Sequence, residues 1–280
     1  MDNVDDKRIE IRVRELHRAF GEHRVLQGVD LKIYAGDILA VVGGSGCGKT
    51  VLLNHILGQL EPDVGHIELA DHDRAGAPLI DLADMDGADR DLVHQHWGMV
   101  FQRNALFSGS VFDNIALWLM EIRNLEEAAV VPIARRVLTA VALPDDDAFL
   151  ESEADALSGG MAKRLAVARA LAMNPIVIFY DEPTTGLDPV SATQIQDLIA
   201  ETHLEPRPGQ PPRTTVIITH DKDLLRRLEP RIVMLHDGRV YFDGQFSEFE
   251  KSTSAIIRPY FDLMPALHMA SGSAPPFVHP

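Results

Sequence analysis

Eight residues, Gly43-Gly44-Ser45-Gly46-Cys47-Gly48-Lys49-Thr50, carry the densest chemistry in the chain. Glycines at this spacing let successive backbone N–H groups turn toward one anion, and Lys49 adds a point charge. A helix beginning there would aim the positive end of its dipole at the same spot. The pattern predicts a cradle for the β- and γ-phosphates of a nucleoside triphosphate, with the Thr50 hydroxyl ligating Mg²⁺. The bland alternative is a glycine-rich turn that binds nothing. The complete spacing, set between an apolar run and a helical pattern, argues against it.

Asp181-Glu182 follows the apolar stretch Ile176 to Tyr180. A carboxylate at the end of a buried strand can hold Mg²⁺ through its water shell, and the next can orient or deprotonate an attacking water. Alone, such a pair is more often a helix cap or a solvated turn. Together with a phosphate cradle it reads as a hydrolytic centre. Leu157-Ser158-Gly159-Gly160-Met161 precedes the helical run Lys163 to Ala172. Ser158 suits an N-cap, and the two glycines leave amides open at the positive end of a helix, a second anion site. By itself this is a common helix start; its place just upstream of Asp181 gives it weight.

These residues need a scaffold. Ile38 to Val42 is continuously apolar, ends in the glycine-rich turn and leads into the helical pattern Leu52, Leu53, Ile56, Leu57, Leu60, which Pro62 closes. That is a buried strand feeding a helix, as in α/β folds. Further apolar strands are expected at Ile176 to Tyr180 and Thr215 to Thr219, with a weaker one at Ile232 to Leu235. Ile9 to Val13 and Val29 to Ile33 alternate and predict half-exposed antiparallel strands. His72 to Asp91 predicts surface loops around a short strand, Leu79 to Leu82, and Glu205 to Arg213 a proline-rich surface loop. Val111 to Leu143 is helical and amphipathic and reads as an inserted subdomain.

A chain of 280 residues can bury a sizeable core as one large domain, with or without an insertion. At 46% hydrophobic and 24% charged residues it has the balance of a globular protein, which suggests neither disorder nor a fibrous architecture. Apolar runs such as Ile115 to Met120 are too short to cross a bilayer. Met1 to Arg8 lacks the basic and apolar regions of a secretory signal, which predicts a cytosolic chain. The single Cys47 excludes an internal disulfide framework, and His94 and His96 lack the further ligands of a zinc site. A net charge of −16 without a basic stripe argues against nucleic-acid binding.

The phosphate cradle, Gln102 after Val100-Phe101, Leu157 to Met161, Asp181-Glu182, Gly186-Leu187-Asp188 and His220 resemble, in order and spacing, the nucleotide-binding subunit of an ABC transporter. The resemblance runs from the first strands to about residue 250. It implies an α/β fold: a P-loop NTPase (RecA-like) core with an antiparallel β subdomain and an inserted α-helical subdomain. The implied divisions are 1–102 and 158–253 for the two parts of the ATP-binding core, 103–157 for the helical subdomain and 254–280 for a C-terminal extension. ATP and Mg²⁺ are the implied cofactors. Glu182 would be the catalytic carboxylate, while Gln102 would sense the γ-phosphate and share Mg²⁺ with Thr50 and Asp181. His220 would contact the γ-phosphate and the catalytic water. Phe20 would stack on adenine. In a homodimer, Ser158, Gly159 and Gly160 of one subunit would face the ATP held by Gly43 to Thr50 of the other, with Asp188 crossing the interface.

Gly44 stands where proline is frequent in that family, Phe20 where tyrosine is usual, and Met161 where glutamine is usual. Ser158 to Arg164, Phe101 to Phe107 and Val111 to Ala116 resemble the ATPase of Mla-type transporters, which serve MCE proteins moving phospholipids between the inner and outer membranes of bacteria. This implies a transmembrane permease dimer, an MCE-domain lipid-binding protein and a STAS-domain regulatory subunit as partners, at the cytoplasmic face of the inner membrane. Ile256, Ile257, Tyr260, Phe261, Leu263 and Met264 predict a short helix, and Pro275-Pro276-Phe277-Val278 resembles an extension reaching toward the neighbouring subunit. A soluble ABC ATPase of iron–sulfur assembly, translation or DNA maintenance is the competing reading. The paired cassettes of translation factors and the long coiled coils of DNA-maintenance ATPases are absent from this sequence.

Overall fold

The computed structural model describes residues 7–207, 209–210 and 212–265. Gly21, at φ +62°, turns the first two strands into a long hairpin of β1 (Ile9–Phe20) and β2 (His23–Tyr34). Both run past the alternation visible in sequence because Glu15, at φ +45°, sits in a bulge where the register shifts while pairing continues. The buried apolar run forms β3 (Ile38–Val42) and feeds α1 (Lys49–Ile56). α1 stops short of the expected Leu60 because Gly58 takes a left-handed turn at φ +66°.

Next come β4 (Val64–Ala70), β5 (Leu79–Asp81), α2 (Gly87–His94) and β6 (Trp97–Val100). α2 begins inside the stretch expected to be loop and runs past its end at Asp91. The Asp86 carboxylate caps it, accepting from the Asp89 N–H at 2.8 Å. The helical stretch resolves into α3 (Val111–Glu121), α4 (Glu127–Ala140) and α5 (Asp147–Leu150), followed by α6 (Gly159–Ala172). β7 (Val177–Asp181), α7 (Pro189–Leu204), β8 (Thr214–Ile218), α8 (Lys222–Leu228), β9 (Arg231–His236) and β10 (Arg239–Gln245) alternate before α9 (Phe246–Glu250) and α10 (Ile257–Leu263). The described residues of the expected loop Glu205 to Arg213 lie outside any helix or strand, but its end is not at the surface: Arg213 is buried, its Nη1 donating to the Thr202 carbonyl at 2.5 Å and pairing with Glu205 at 3.0 Å. Pro275 to Val278 lies outside the described residues.

The strands pair as a four-stranded antiparallel sheet, β2-β1-β4-β5, and a six-stranded sheet, β10-β9-β3-β8-β7-β6, parallel except for β10. Ile11, Leu39, Val41, Leu52, Val216 and Val233 join the two sheets in one apolar core. The opposite face of the large sheet packs on helices through Val100, Ile115, Leu138, Leu165, Tyr180 and Ile199. α6 is buried nearly all round because it lies between β6 and the α3–α4 pair. Among the described residues no helix is long and apolar enough to cross a membrane. One consequence dominates the chemistry. The segments that follow β3, β8, β7 and β6 carry Lys49, His220, Glu182 and Gln102, so all four leave the carboxyl ends of neighbouring parallel strands, where α/β sheets bind ligands.

Candidate functional site

After β3 the chain turns through Gly43, Gly46 and Gly48 at φ +145°, +77° and +104°, values that side chains resist. A Cβ on Gly43 would meet the Leu235 carbonyl oxygen at 2.4 Å, and one on Gly48 would meet Leu26 Cδ2 at 2.7 Å. Between them Gly44, Ser45 and Gly46 stand exposed. Gly48 is the N-cap of α1 and offers no side-chain cap, so the first-turn N–H groups stay open at the positive helix end. Lys49 Nζ donates to the carbonyls of Gly43 at 2.7 Å and Gly44 at 3.1 Å, arching over the loop. Thr50 is exposed beside it, and Cys47 is half-buried with Sγ 3.9 Å from Lys49 Nζ. Open first-turn amides, one cation and, among the described residues, no carboxylate hydrogen-bonded to Lys49 fit a polyphosphate.

Asp181 closes β7, and Glu182 follows at φ +47°, its N–H donating to the Ile218 carbonyl at 2.8 Å. That bond joins the ends of β7 and β8. His220, just past β8, therefore returns over Glu182, with Nδ1 2.8 Å from Oε2. Burial first, and then the Glu182 charge, raises the Asp181 pKa, while Lys163 and Lys49 pull it back. A cation bound at Asp181 would favour its ionised form. The oxygen donors Asp181, Thr50 and Gln102 suit Mg²⁺, a hard cation that keeps several of its waters.

Asp221 was not singled out in the sequence. It is buried, and its Oδ1 accepts from the Asp223 and Leu224 N–H groups at 2.9 and 3.2 Å, capping α8. Its Oδ2 accepts from Thr184 Oγ1 at 2.8 Å and Gln196 Nε2 at 2.9 Å. The segment after Glu182 is thereby tied to the segment holding His220. An Asp ahead of a helical pattern signals a cap, but nothing local points to Thr184.

Gln102 is exposed just past β6. Its backbone carbonyl and that of Phe101 accept from Lys163 Nζ at 2.8 and 2.9 Å. Lys163 lies on α6 and is 1% exposed; burial depresses its pKa to about 8 against the pull of Asp181. The segment carrying Gln102 is thus fastened to the helix that Ser158 caps. Ser158 Oγ accepts from the Met161 N–H at 3.3 Å. Gly160 packs so tightly on α7 that a Cβ would lie 2.7 Å from Ser191 Oγ. Ser191 in turn donates its hydroxyl to Asp188 Oδ2 at 2.5 Å, and Asp188 Oδ1 accepts from the Val190 and Ser191 N–H groups at 3.0 and 3.1 Å. The Ser191 hydrogen bonds hold Asp188 below the usual carboxylate range. Ser158, Gly159 and Asp188 are all exposed, and among the described residues no hydrogen bond links them to the cradle of the same chain. Phe20 ends β1 half-exposed, with the Arg18 guanidinium 4.8 Å from its ring centroid; Asp63 holds that guanidinium at 2.8 Å.

The ABC transporter family model matches residues 26–185. Protein Trigalactosyldiacylglycerol 3, chloroplastic, of Arabidopsis thaliana is 34% identical over 268 residues, covering 91% of this chain and 74% of the plant protein. The intermembrane phospholipid transport system ATP-binding protein MlaF of Haemophilus influenzae is 34% identical over 243 residues, 86% of each chain. The histidine transport ATP-binding protein HisP of Pseudomonas aeruginosa is 31% identical over 239 residues, 84% of this chain and 90% of that one. Among solved structures, the dimeric ATP-binding cassette MJ0796 bound to ADP and Pi superposes with a TM-score of 0.69 at 27% identity, covering 84% of this chain and 98% of its own. The expected ABC ATPase fold is thus the one observed. Because the family match takes in both the cradle and the Asp181-Glu182 strand end, the chain belongs to the ABC transporter family, as an ATPase subunit that binds ATP with Mg²⁺ and hydrolyses it.

Proposed function

We propose that this ATPase powers phospholipid transport between the inner and outer membranes of a bacterium, as a homodimer on the cytoplasmic face of a transmembrane permease dimer coupled to an MCE-domain lipid-binding protein. A STAS-domain regulatory subunit is a further partner. The observation that carries the cargo is the 34% identity with a phospholipid transport ATPase along 86% of both chains. The plant relative, named after a lipid, matches over still more of this chain. Amino-acid transport relatives match at 31% (histidine) and 34% (L-cystine) identity over 84% of this chain, so the ATPase core is common to several cargoes and specificity resides in the partners.

Within the site, the loop Gly43 to Gly48 offers the amides of Gly44, Ser45, Gly46 and Gly48, and with the Lys49 ammonium these hold the β- and γ-phosphates, while Gly43 and Cys47 shape the turn and Phe20 stacks on adenine. Thr50, Gln102 and Asp181 hold Mg²⁺, which neutralises charge on the phosphate oxygens. Glu182 orients the attacking water and takes its proton, and His220, in contact with Glu182, positions that carboxylate and the γ-phosphate. Ser158, Gly159 and Gly160 complete the partner's cradle, with Asp188 crossing beside them; the exposure of Ser158, Gly159 and Asp188, none of them hydrogen-bonded to their own chain's cradle among the described residues, supports this. A cleft of about 780 Å³ lined by Met99, Phe101, Phe107, Trp118, Ile122 and Arg169 adjoins Gln102. Its exposed apolar side chains suit a permease helix.

Purification of the tagged chain from membranes in mild detergent, with mass spectrometry of proteins and lipids, tests the proposal. The expected eluate holds a multi-spanning permease, an MCE-domain protein and bound phospholipid. An amino-acid-binding protein in place of the MCE protein overturns the cargo, and soluble partners alone overturn the membrane assembly.

A further inference from the structure

α10 is held against the ends of β3 and β9: Ile257, Phe261 and Met264 pack with Val42, Met234 and Phe249. It also reaches the segment after His220, where the Lys222 N–H donates to the Pro265 carbonyl at 3.3 Å and Lys222 Nζ lies 4.7 Å from the Phe261 ring centroid. From this anchored helix Tyr260 extends to the phosphate cradle. Its hydroxyl accepts from the N–H of Gly43 at 2.9 Å. The carbonyl of the same Gly43 accepts from Lys49 Nζ at 2.7 Å. Gly43 is closely packed as well, because the Leu235 carbonyl oxygen and Cys47 Sγ fill the space where a Cβ would stand. Burial above all, then the nearby Cys47 and Glu182, pushes the Tyr260 pKa up to about 12 against the Gly43 hydrogen bond, so the phenol stays neutral at physiological pH. A neutral hydroxyl is the form that accepts an amide N–H without placing a negative charge beside the phosphates.

We infer that Tyr260 is a positioning residue for ATP: it holds Gly43 from the amide side while Gly43 holds Lys49 from the carbonyl side, so tight binding of the triphosphate depends on α10 being docked. The inference rests on Gly43 to Thr50 being the triphosphate site. It assigns the C-terminal helix a part in nucleotide affinity, which neither the cradle motif nor the strand-end carboxylates would suggest.

The test compares the full-length wild type with Tyr260→Phe and Lys49→Ala. Phe keeps the ring and removes the acceptor. The bond acts on bound ATP before and during the reaction, so its loss should raise KM and leave kcat alone. One hydrogen bond of this kind changes an affinity by about 3- to 10-fold. Tyr260→Phe should therefore raise the ATP KM, and the Kd for a fluorescent ATP analogue, by about 3- to 10-fold, with kcat within about 2-fold. Tm should fall by no more than a few degrees, as the buried Gly43 N–H loses its partner, and hydrogen exchange at the Gly43 amide should accelerate. A role confined to packing leaves KM and Gly43 exchange at wild-type values in Tyr260→Phe, and that result overturns the inference. Undiminished ATP binding by Lys49→Ala overturns the reading of the cradle itself. Lost binding in Lys49→Ala with a wild-type KM in Tyr260→Phe overturns only the brace.

Discussion

Asp221→Ala should cost more stability than any exposed carboxylate in the chain. The substitution removes both oxygens of a buried group. Losing Oδ1 uncaps α8, where it accepts from two backbone N–H groups, and an N-cap contributes about 1 kcal/mol. Losing Oδ2 strands Thr184 Oγ1 and Gln196 Nε2, on residues that are 3% and 2% exposed. A buried donor left without a partner costs about 1–3 kcal/mol. The three effects share one side chain and do not add fully, which sets the expected loss at about 3–5 kcal/mol. Asp221→Asn keeps an acceptor for the cap but turns an NH₂ toward the Gln196 amide, so about half that loss is expected. Because Asp221 also ties the Glu182 segment to the His220 segment, kcat should fall at least about 10-fold in the folded Asn variant, at an ATP KM within about 3-fold. Urea denaturation with a constant slope measures the first quantity, and steady-state ATPase assays the second. A loss under about 1 kcal/mol for Asp221→Ala, or an Asn variant as damaging as Ala, would refute this assignment of the bonds.

Glu182→Gln should keep ATP binding and lose turnover by about 10²- to 10⁴-fold, trapping a closed dimer visible by light scattering; unaffected turnover would remove Glu182 from the chemistry. Alkylation of the half-buried Cys47 should inhibit ATP hydrolysis, and bound ATP should slow it; equal labelling with and without nucleotide would place the thiol away from the phosphates. Lys163→Met should release the Phe101 and Gln102 carbonyls and lower kcat about 10-fold with little change in Tm, since lost charge-assisted bonds offset the relief of a buried cation. The Lys163 pKa falls on folding from 10.5 to about 8, so the unfolded chain binds more protons between those values and stability rises with pH across that window. Denaturation curves at both ends of the window should show the rise in wild type and its loss in Lys163→Met.

Strands β3, β7 and β8 were legible because strands covered on both faces of a parallel sheet read as unbroken apolar runs. β4, β6 and β10 were not. Each carries a glycine, Gly65, Gly98 or Gly244, that reads locally as a turn. At Gly65 a Cβ would lie 2.4 Å from the Glu15 carbonyl oxygen, and at Gly98 3.2 Å from that of Ala170, so close packing from elsewhere in the chain requires the glycine at 65 and favours it at 98. The cradle, the carboxylate pair and the Ser158 cap could be read from residue type and spacing. Gln102 and His220 rested on resemblance alone, since a single polar residue has no local signature. Asp221, Lys163 and Tyr260 escaped for a different reason. Their partners lie 37, 62 and 217 residues away in the chain, and only the folded topology brings them together.

Lys163 also bears on how the proposed partners would feel ATP. It stands five residues beyond Ser158 on the same helix, roughly 7–8 Å along the axis, and grips the segment that carries Gln102 and borders the apolar cleft. α6 is packed on both sides and cannot flex to absorb a push. On the proposed reading, a permease helix moving in that cleft shifts the Gln102 segment and the Ser158 turn as one body. Mg²⁺ contacts at one ATP and closure over the partner's ATP would then change together. The coupling needs no relay of small displacements through the sheet, because both ends of the lever are fixed to the same buried lysine and helix.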